Sequence, residues 1–131
     1  MSEQRTKRTS AVAWFEIPSR DLSRAKRFYE TILECTMKTD DFASKDEEIC
    51  IFPAEQTGVS GALVKRNFQR PGSDGTMVYL SCDGRLDAVL SKVVGAGGRV
   101  IVPRTLVPGG HGAFACMRDS EGNHVGLHTA I

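Results

Sequence analysis

Residues 12–29 read VAWFEIPSRDLSRAKRFY, and this stretch predicts a strand, a sharp corner and the opening of a helix. Along the strand, apolar side chains alternate with a second set that contains Trp14 and Glu16. Alternate side chains of a strand lie on opposite faces, so the first set can bury against a helix. Pro18 ends the strand because it has no N–H to donate. The function then depends on what the face with Trp14 and Glu16 contacts.

A helix is predicted directly after this corner. Either Ser19 or Asp21 can cap it, because both side chains carry an oxygen that accepts from backbone N–H groups. Apolar residues then recur at helical spacing, at Leu22, Ala25, Phe28, Ile32 and Leu33.

Composition indicates an ordinary globular protein. The chain has 131 residues, 40% of them hydrophobic and 25% charged, with a net charge of +1. That charge is too small to attract nucleic acid or a membrane over long range, so neither is an expected partner. Residues 1–10 are polar and basic without the apolar run of an export signal, and are expected to be a disordered tail. With four widely spaced cysteines, we expect reduced thiols and a cytoplasmic location.

The second half of the chain repeats the order of predicted elements in the first. After an extended segment at 36–42, strands are predicted at 48–53, 61–65, 76–82, 99–102, 113–118 and 124–129, with a second helix marked by Leu86, Val89, Leu90 and Val93. The Gly- and Pro-rich segment 66–75 is the predicted linker. Neither half is large enough to be stable alone, so we expect one domain, 11–131, made of modules 11–66 and 75–131 with a shared core.

The chain resembles the vicinal oxygen chelate superfamily, which holds glyoxalase I, bleomycin-resistance proteins and extradiol dioxygenases. The resemblance rests on WFEIPSRDLSRAKRFYETIL at 14–33, GVSGALV at 58–64, GTMVYLSCDGRLDAVLSKVVGAGGRV at 75–100 and RDSEGNHVGLH at 118–128. It implies an α+β fold in which two βαβββ modules form a cupped mixed sheet around a central cavity. It also implies a homodimer that handles a small-molecule ligand.

The metal ligands of the superfamily do not carry over to this chain. The usual first-strand His falls on Trp14, the ligand of the second module falls on or near Met77, and the last-strand Glu falls on Gly126. Indole, thioether and glycine cannot hold a hard divalent ion that prefers imidazole and carboxylate. The resemblance therefore implies a subgroup that lacks the usual metal ligands, and we expect no cofactor.

Strand parity names the residues of the predicted cavity. Glu16 shares the face of Trp14, Tyr79 shares that of Met77, and His128 and His124 share that of Gly126. Aromatic and apolar walls with a few polar groups suit a small, partly aromatic ligand. The predicted ligand pocket contains Trp14, Met77, Phe52, His111 and Gly126, where the glycine leaves room for the ligand. The basic residues Lys65, Arg66, Arg70, Arg99 and Arg104 are interpreted as solvated charges.

Three kinds of function stay open. The first is a lyase or isomerase in which Glu16 and His128 perform acid–base catalysis and Tyr79 donates a hydrogen bond. The second is a non-catalytic protein of the bleomycin-resistance type, which binds or sequesters a small aromatic or drug-like compound and needs only the cavity walls. The third is a metal enzyme whose ligands are displaced to Glu16, His128 and His111.

Overall fold

A computed structural model describes residues 10–39 and 47–130. The predicted tail, apart from Ser10, and the end of the extended segment predicted at 36–42 lie outside the described residues. The described elements are β1 (Trp14–Pro18), α1 (Leu22–Leu33), β2 (Lys38–Thr39), β3 (Glu48–Ile51), β4 (Ser60–Lys65), β5 (Tyr79–Ser81), α2 (Leu86–Ala96), β6 (Arg99–Leu106), β7 (Ala113–Arg118) and β8 (His124–Thr129). None of the helices in this part of the chain is long and apolar enough to span a membrane.

The strands form two four-stranded sheets with the same internal plan. Their orders are β1-β4-β3-β2 and β5-β8-β7-β6. In each sheet the first strand of the module runs parallel to the last, and the remaining pairs are antiparallel. The predicted α+β fold of two βαβββ modules is confirmed. The eight described strands are divided between two sheets rather than joined in one continuous sheet.

One hydrophobic core is shared by both modules. It joins apolar residues of α1 and β4 to those of α2, β7 and β8, including Phe28, Leu63, Val89 and Leu127. The two helices pack against each other beside this core. Burying an aliphatic or aromatic side chain stabilises by roughly 1.5–3 kcal/mol, so neither module can be removed without exposing the core of the other. All four cysteines are free thiols, as predicted.

The helix ends follow the predicted signals only in part. Asp21 caps α1, and its carboxylate accepts from the Arg24 N–H at 3.0 Å. Ser19 instead donates its hydroxyl to the Val64 carbonyl at 2.9 Å and ties β1 to β4. The second helix ends at Gly97, whose φ of 111° lies in the left-handed region that glycine adopts without strain.

The turn at residues 119–123, DSEGN, contains a buried polar network. The Asp119 carboxylate accepts from the Glu121 and Asn123 N–H groups, both at 2.9 Å, which closes the turn. Its second oxygen accepts from the buried Tyr29 hydroxyl at 2.7 Å. Tyr29 belongs to α1, so this turn of the second module is bonded to the helix of the first.

Glu121 joins the same turn to the corner between β1 and α1. Its carboxylate accepts from the N–H groups of Arg20 and Asp21 at 2.8 and 2.9 Å, and from the Arg24 guanidinium at 2.7 Å. Burial alone would raise the pKa of Glu121, but the Arg24 and backbone hydrogen bonds outweigh it and lower the pKa to about 2. The carboxylate therefore stays ionised at any pH near neutrality.

In each module an aromatic ring of the first strand lies over a glycine of the last. Phe15 pairs with Gly61, and Tyr79 pairs with Gly126. A Cβ at either glycine would collide with the ring opposite. The sequence analysis expected Gly126 to leave room for a ligand. That expectation is wrong, because the Tyr79 ring occupies the space.

Replacing Glu121 by Ala should lower the free energy of unfolding by about 2–4 kcal/mol, because it removes a buried carboxylate and leaves the partly buried Arg20 and Asp21 N–H groups without their acceptor. Urea denaturation at neutral pH measures this. The control is Glu55→Ala, in the exposed loop between β3 and β4, where we expect a change within about 0.5 kcal/mol. Equal effects of the two substitutions would contradict the role of the turn.

The contribution of Glu121 should also depend on pH. The folded-state pKa of about 2 lies below the ordinary value of 4.5, so the stabilisation is complete above the ordinary pKa and is lost as the pH falls toward 2. The stability difference between the native protein and Glu121→Gln should therefore be smaller at about pH 3 than at pH 7. A difference that is constant over this range is the opposing result.

Replacing Gly126 by Ala should cost about 1–3 kcal/mol of stability, because the added methyl group meets the Tyr79 ring. Thermal unfolding of Gly126→Ala, Tyr79→Ala and the double variant measures the coupling. The double variant should lose less stability than the sum of the two single losses. Gly95 of α2 has open space around it, so Gly95→Ala should instead stabilise by up to about 1 kcal/mol. If the stability losses of Gly126→Ala and Tyr79→Ala simply add in the double variant, the contact between the two residues is refuted.

Candidate functional site

A cavity of about 490 Å³ lies where the two modules meet. Its walls come from β1 and the residues before it, from the segment 70–78 that leads into β5, and from residues 123–125 at the start of β8. Trp14, Glu16 and Met77, which strand parity assigned to the faces of a predicted cavity, all line it. The site therefore contains residues of both modules and of the linker between them.

Trp14 and Glu16 lie side by side on this wall. The indole N–H of Trp14 donates to Glu16 Oε2 at 3.2 Å, and 43% of Trp14 is exposed. This bond confirms that the two residues share a face of β1, as parity predicted. Phe15 lies between them in sequence and packs against the core. Its ring is tilted by 39° relative to that of Phe52, and the ring centroids are 5.4 Å apart.

Arg66 holds the Glu16 carboxylate from the end of β4. Its guanidinium forms a short ion pair with Glu16 Oε1, donates to Glu16 Oε2 at 3.2 Å, and also donates to Glu47 at 2.9 Å. Only 12% of the Arg66 side chain is exposed, so its interpretation as a solvated charge was wrong. Hydrogen bonding to Arg66 lowers the pKa of Glu16, although partial burial opposes this. Glu16 is consequently a weaker base than an ordinary glutamate.

His128 lies on the second sheet and does not line this cavity. Its Nε2 atom is 2.8 Å from the backbone carbonyl of His111, a loop residue that the sequence analysis placed in the predicted ligand pocket. The predicted acid–base pair of Glu16 and His128 is therefore not brought into one cavity. The side chain of His111 is exposed, and only its backbone takes part in this contact.

Tyr79 and Phe52 also lie outside the cavity. Tyr79 is 49% exposed and meets Phe114 edge to face, with ring centroids 6.1 Å apart. Phe52 is buried in the core, where its ring is 5.4 Å from that of Tyr29. Phe52 shares the face of Cys50, which packs in the core, and it lines a second cavity of about 350 Å³ next to α2.

Sequence reasoning missed several residues that line the cavity. Arg70, Gly72 and Asp74 belong to the segment that was interpreted only as a linker. His124 lines the cavity as well, and parity did place it on the face of Gly126 without giving it a role. The position of the linker could have indicated these residues, because a segment that joins two modules must pass the boundary between them.

The positions at which the superfamily usually carries its metal ligands do not supply suitable donors for a divalent metal in this chain. Trp14 uses its N–H on Glu16, Met77 offers a thioether, and Gly126 lies beneath the Tyr79 ring. Within residues 10–39 and 47–130, no group of three or more His, Cys, Asp or Glu side chains is arranged to hold a metal. This applies also to the displaced set of Glu16, His128 and His111.

Known structures with the same fold are numerous and share little sequence with this chain. A glyoxylase/bleomycin resistance protein/dioxygenase domain from Frankia sp. EAN1pec superposes with a TM-score of 0.68 at 19% identity, covering 93% of this chain and 98% of that one. A glyoxalase/bleomycin resistance protein from Albidiferax ferrireducens T118 gives 0.65 at 19% identity, covering 93% and 100%. The genomically encoded fosfomycin resistance protein FosX from Listeria monocytogenes gives 0.61 at 14% identity, covering 93% and 92%.

No curated protein matches the sequence significantly. The sequence model of the Glyoxalase/Bleomycin resistance protein/Dioxygenase superfamily, in contrast, matches residues 11–127, which is nearly the whole chain. The matched range contains the first module, the second module as far as residue 127, and every wall of the cavity. The chain therefore belongs to the Glyoxalase/Bleomycin resistance protein/Dioxygenase superfamily.

Proposed function

We propose that this chain binds a small, flat, partly apolar molecule in the cavity beside Trp14. The observation that carries the proposal is a cavity of about 490 Å³ with an indole and a thioether in its wall. This volume lies in the range of small-molecule sites, which combine apolar walls with a few polar groups. The half-exposed Trp14 ring offers a flat surface on which an aromatic ligand stacks.

Binding is favoured over lyase or isomerase chemistry by the state of Glu16. A general base needs a free lone pair within hydrogen-bond reach of the reacting atom and a pKa near the working pH. Both oxygens of Glu16 are engaged by Arg66, and its pKa is lowered. His128, the proposed proton partner, contacts the His111 carbonyl outside the cavity. The arrangement supports Glu16 as a fixed ligand contact.

We further propose that the ligand is held without a metal ion. The support is the chemistry of the positions that would supply the donors, namely an indole N–H that is already bonded, a thioether and a covered glycine. Metal analysis of the protein, purified without chelator, tests this. A divalent ion at one equivalent per chain that is lost in Glu16→Gln would restore the displaced-ligand alternative.

The predicted homodimer also stays a proposal. It is supported by large apolar residues that are exposed among the described residues, namely Val12, Trp14, Val59, Phe68, Tyr79, Val94 and Leu106. Pairing of two copies would cover part of this apolar surface. Sedimentation velocity at micromolar concentration should give a species of about twice the chain mass of 14.3 kDa, and a monomer would oppose it.

Trp14 is the single tryptophan of the chain, so its fluorescence reports on the cavity directly. We expect at least one compound of a panel of small aromatic and drug-like molecules to raise the melting temperature and to change Trp14 emission with the same Kd. A ligand at a hundred times its Kd stabilises the folded state by about 2.7 kcal/mol, which is easily detected.

The variant Met77→Glu places a charge in the apolar wall and should weaken this binding about tenfold or more. The control is Leu106→Glu, because Leu106 is exposed on β6 outside the cavity. Two results would overturn the proposal: stabilising compounds that leave Trp14 emission unchanged, or equal affinities in the two variants.

A further inference from the structure

Two buried polar atoms have no hydrogen-bond partner among the described residues, and they belong to neighbouring side chains. They are Nε of Arg118 and Nε2 of His124. Arg118 on β7 is paired directly opposite His124 on β8. Side chains of such a pair lie on one face with Cβ atoms about 4.5–5.5 Å apart. Two unsatisfied nitrogens therefore occur together rather than at unrelated places.

Leaving these atoms unpaired is costly. A guanidinium is always charged, and its N–H groups can only donate. A buried donor without an acceptor loses roughly 1–3 kcal/mol, and more when the group is charged. Nearly all buried polar groups in folded proteins are satisfied, so an acceptor is expected at this position when the protein is in its working state.

One residue of the pair belongs to the proposed ligand cavity. His124 lines that cavity together with Met77. Arg118 lies on the neighbouring strand β7, directly opposite His124, and is not part of the lining. His124 and Arg118 lie on the face of the second sheet that points away from the helices, because their strand neighbours Val125 and Met117 belong to the core. A group that reaches His124 from inside the cavity is thus on the side of the sheet where Arg118 lies.

The charges of the cavity leave this pair without a counter-ion. Glu16 shares the Arg66 guanidinium with Glu47. Of the other charged residues in the lining, Arg70 and Asp74 have opposite sign. Arg99, the exposed residue opposite Arg118 on β6, adds a further positive charge to the same row. Among the described residues neither Arg118 nor Arg99 forms an ion pair, so no carboxylate offsets the charge of this row of two arginines.

We propose that Arg118 and His124 form an oxyanion subsite at the end of the cavity, which binds the carboxylate, phosphonate or sulfonate group of the ligand. Both nitrogens are covered by the protein, so the two side chains turn toward the cavity as the anion enters and then donate to it from Arg118 Nε–H and His124 Nε2–H. The aromatic part of the ligand lies against Trp14 and Met77. Charge-assisted bonds of this kind are stronger than neutral ones. The subsite rests on the proposed binding function and narrows its ligand class to aromatic oxyanions.

The test compares 2-naphthoate with its neutral isostere 2-naphthamide by isothermal titration calorimetry. We expect the carboxylate to bind about ten- to a hundredfold more tightly, as one or two charge-assisted hydrogen bonds provide. The variant Arg118→Gln should remove this preference, and Arg118→Lys, which keeps the charge but loses Nε, should restore only part of it. The matched control is Arg99→Gln, which should keep most of the preference.

Inorganic phosphate separates failure of the subsite from failure of the cavity. Phosphate at millimolar concentration should raise the melting temperature of the native protein and of Arg99→Gln, but not of Arg118→Gln. Equal binding of the two naphthalene compounds would overturn the subsite and leave the proposed function standing. An Arg118-dependent phosphate effect without binding of either compound would support the subsite and count against the aromatic ligand. No response to any of the three probes overturns both.

Discussion

The buried carboxylate of Glu121 is the constraint on which the arrangement of the two modules depends. It belongs to the last hairpin of the second module, yet its partners are two backbone N–H groups and a guanidinium at the first corner of the first module. The bonds connect residues about a hundred positions apart, so they form only when both modules are in place. Tyr29 and Asp119 add a second buried link between the same elements.

The same turn shapes the cavity. Asn123 donates to the Pro18 carbonyl at 2.7 Å and accepts from the Gly72 N–H at 3.1 Å. Pro18, Gly72 and Asn123 all line the cavity. One amide side chain therefore fixes three walls, which come from β1, the linker and β8. A cavity whose walls are held in this way is largely formed before a ligand arrives, and this reduces the entropy cost of binding.

The sequence predicts the fold better than the site, for a physical reason. Alternation in β1 is a local signal, and it correctly placed Trp14 beside Glu16. The partner of Glu16, however, is Arg66, which lies fifty positions away, and no local sequence pattern indicates that ion pair. The prediction of free space at Gly126 failed for a similar reason, because the Tyr79 ring that fills the space comes from another strand. Periodicity gives the face on which a side chain lies, whereas contacts across strands decide what that face meets.

The central claim is that the 119–123 turn joins the modules into one cooperative unit. Native-state hydrogen exchange of the Arg20 and Asp21 amides tests it most directly, because Glu121 holds both. The account predicts that these amides open with the same free energy as the Leu127 amide in the centre of β8, which is the free energy of global unfolding. The account would be contradicted if the opening free energy of the Arg20 and Asp21 amides were several kcal/mol lower than that of the Leu127 amide.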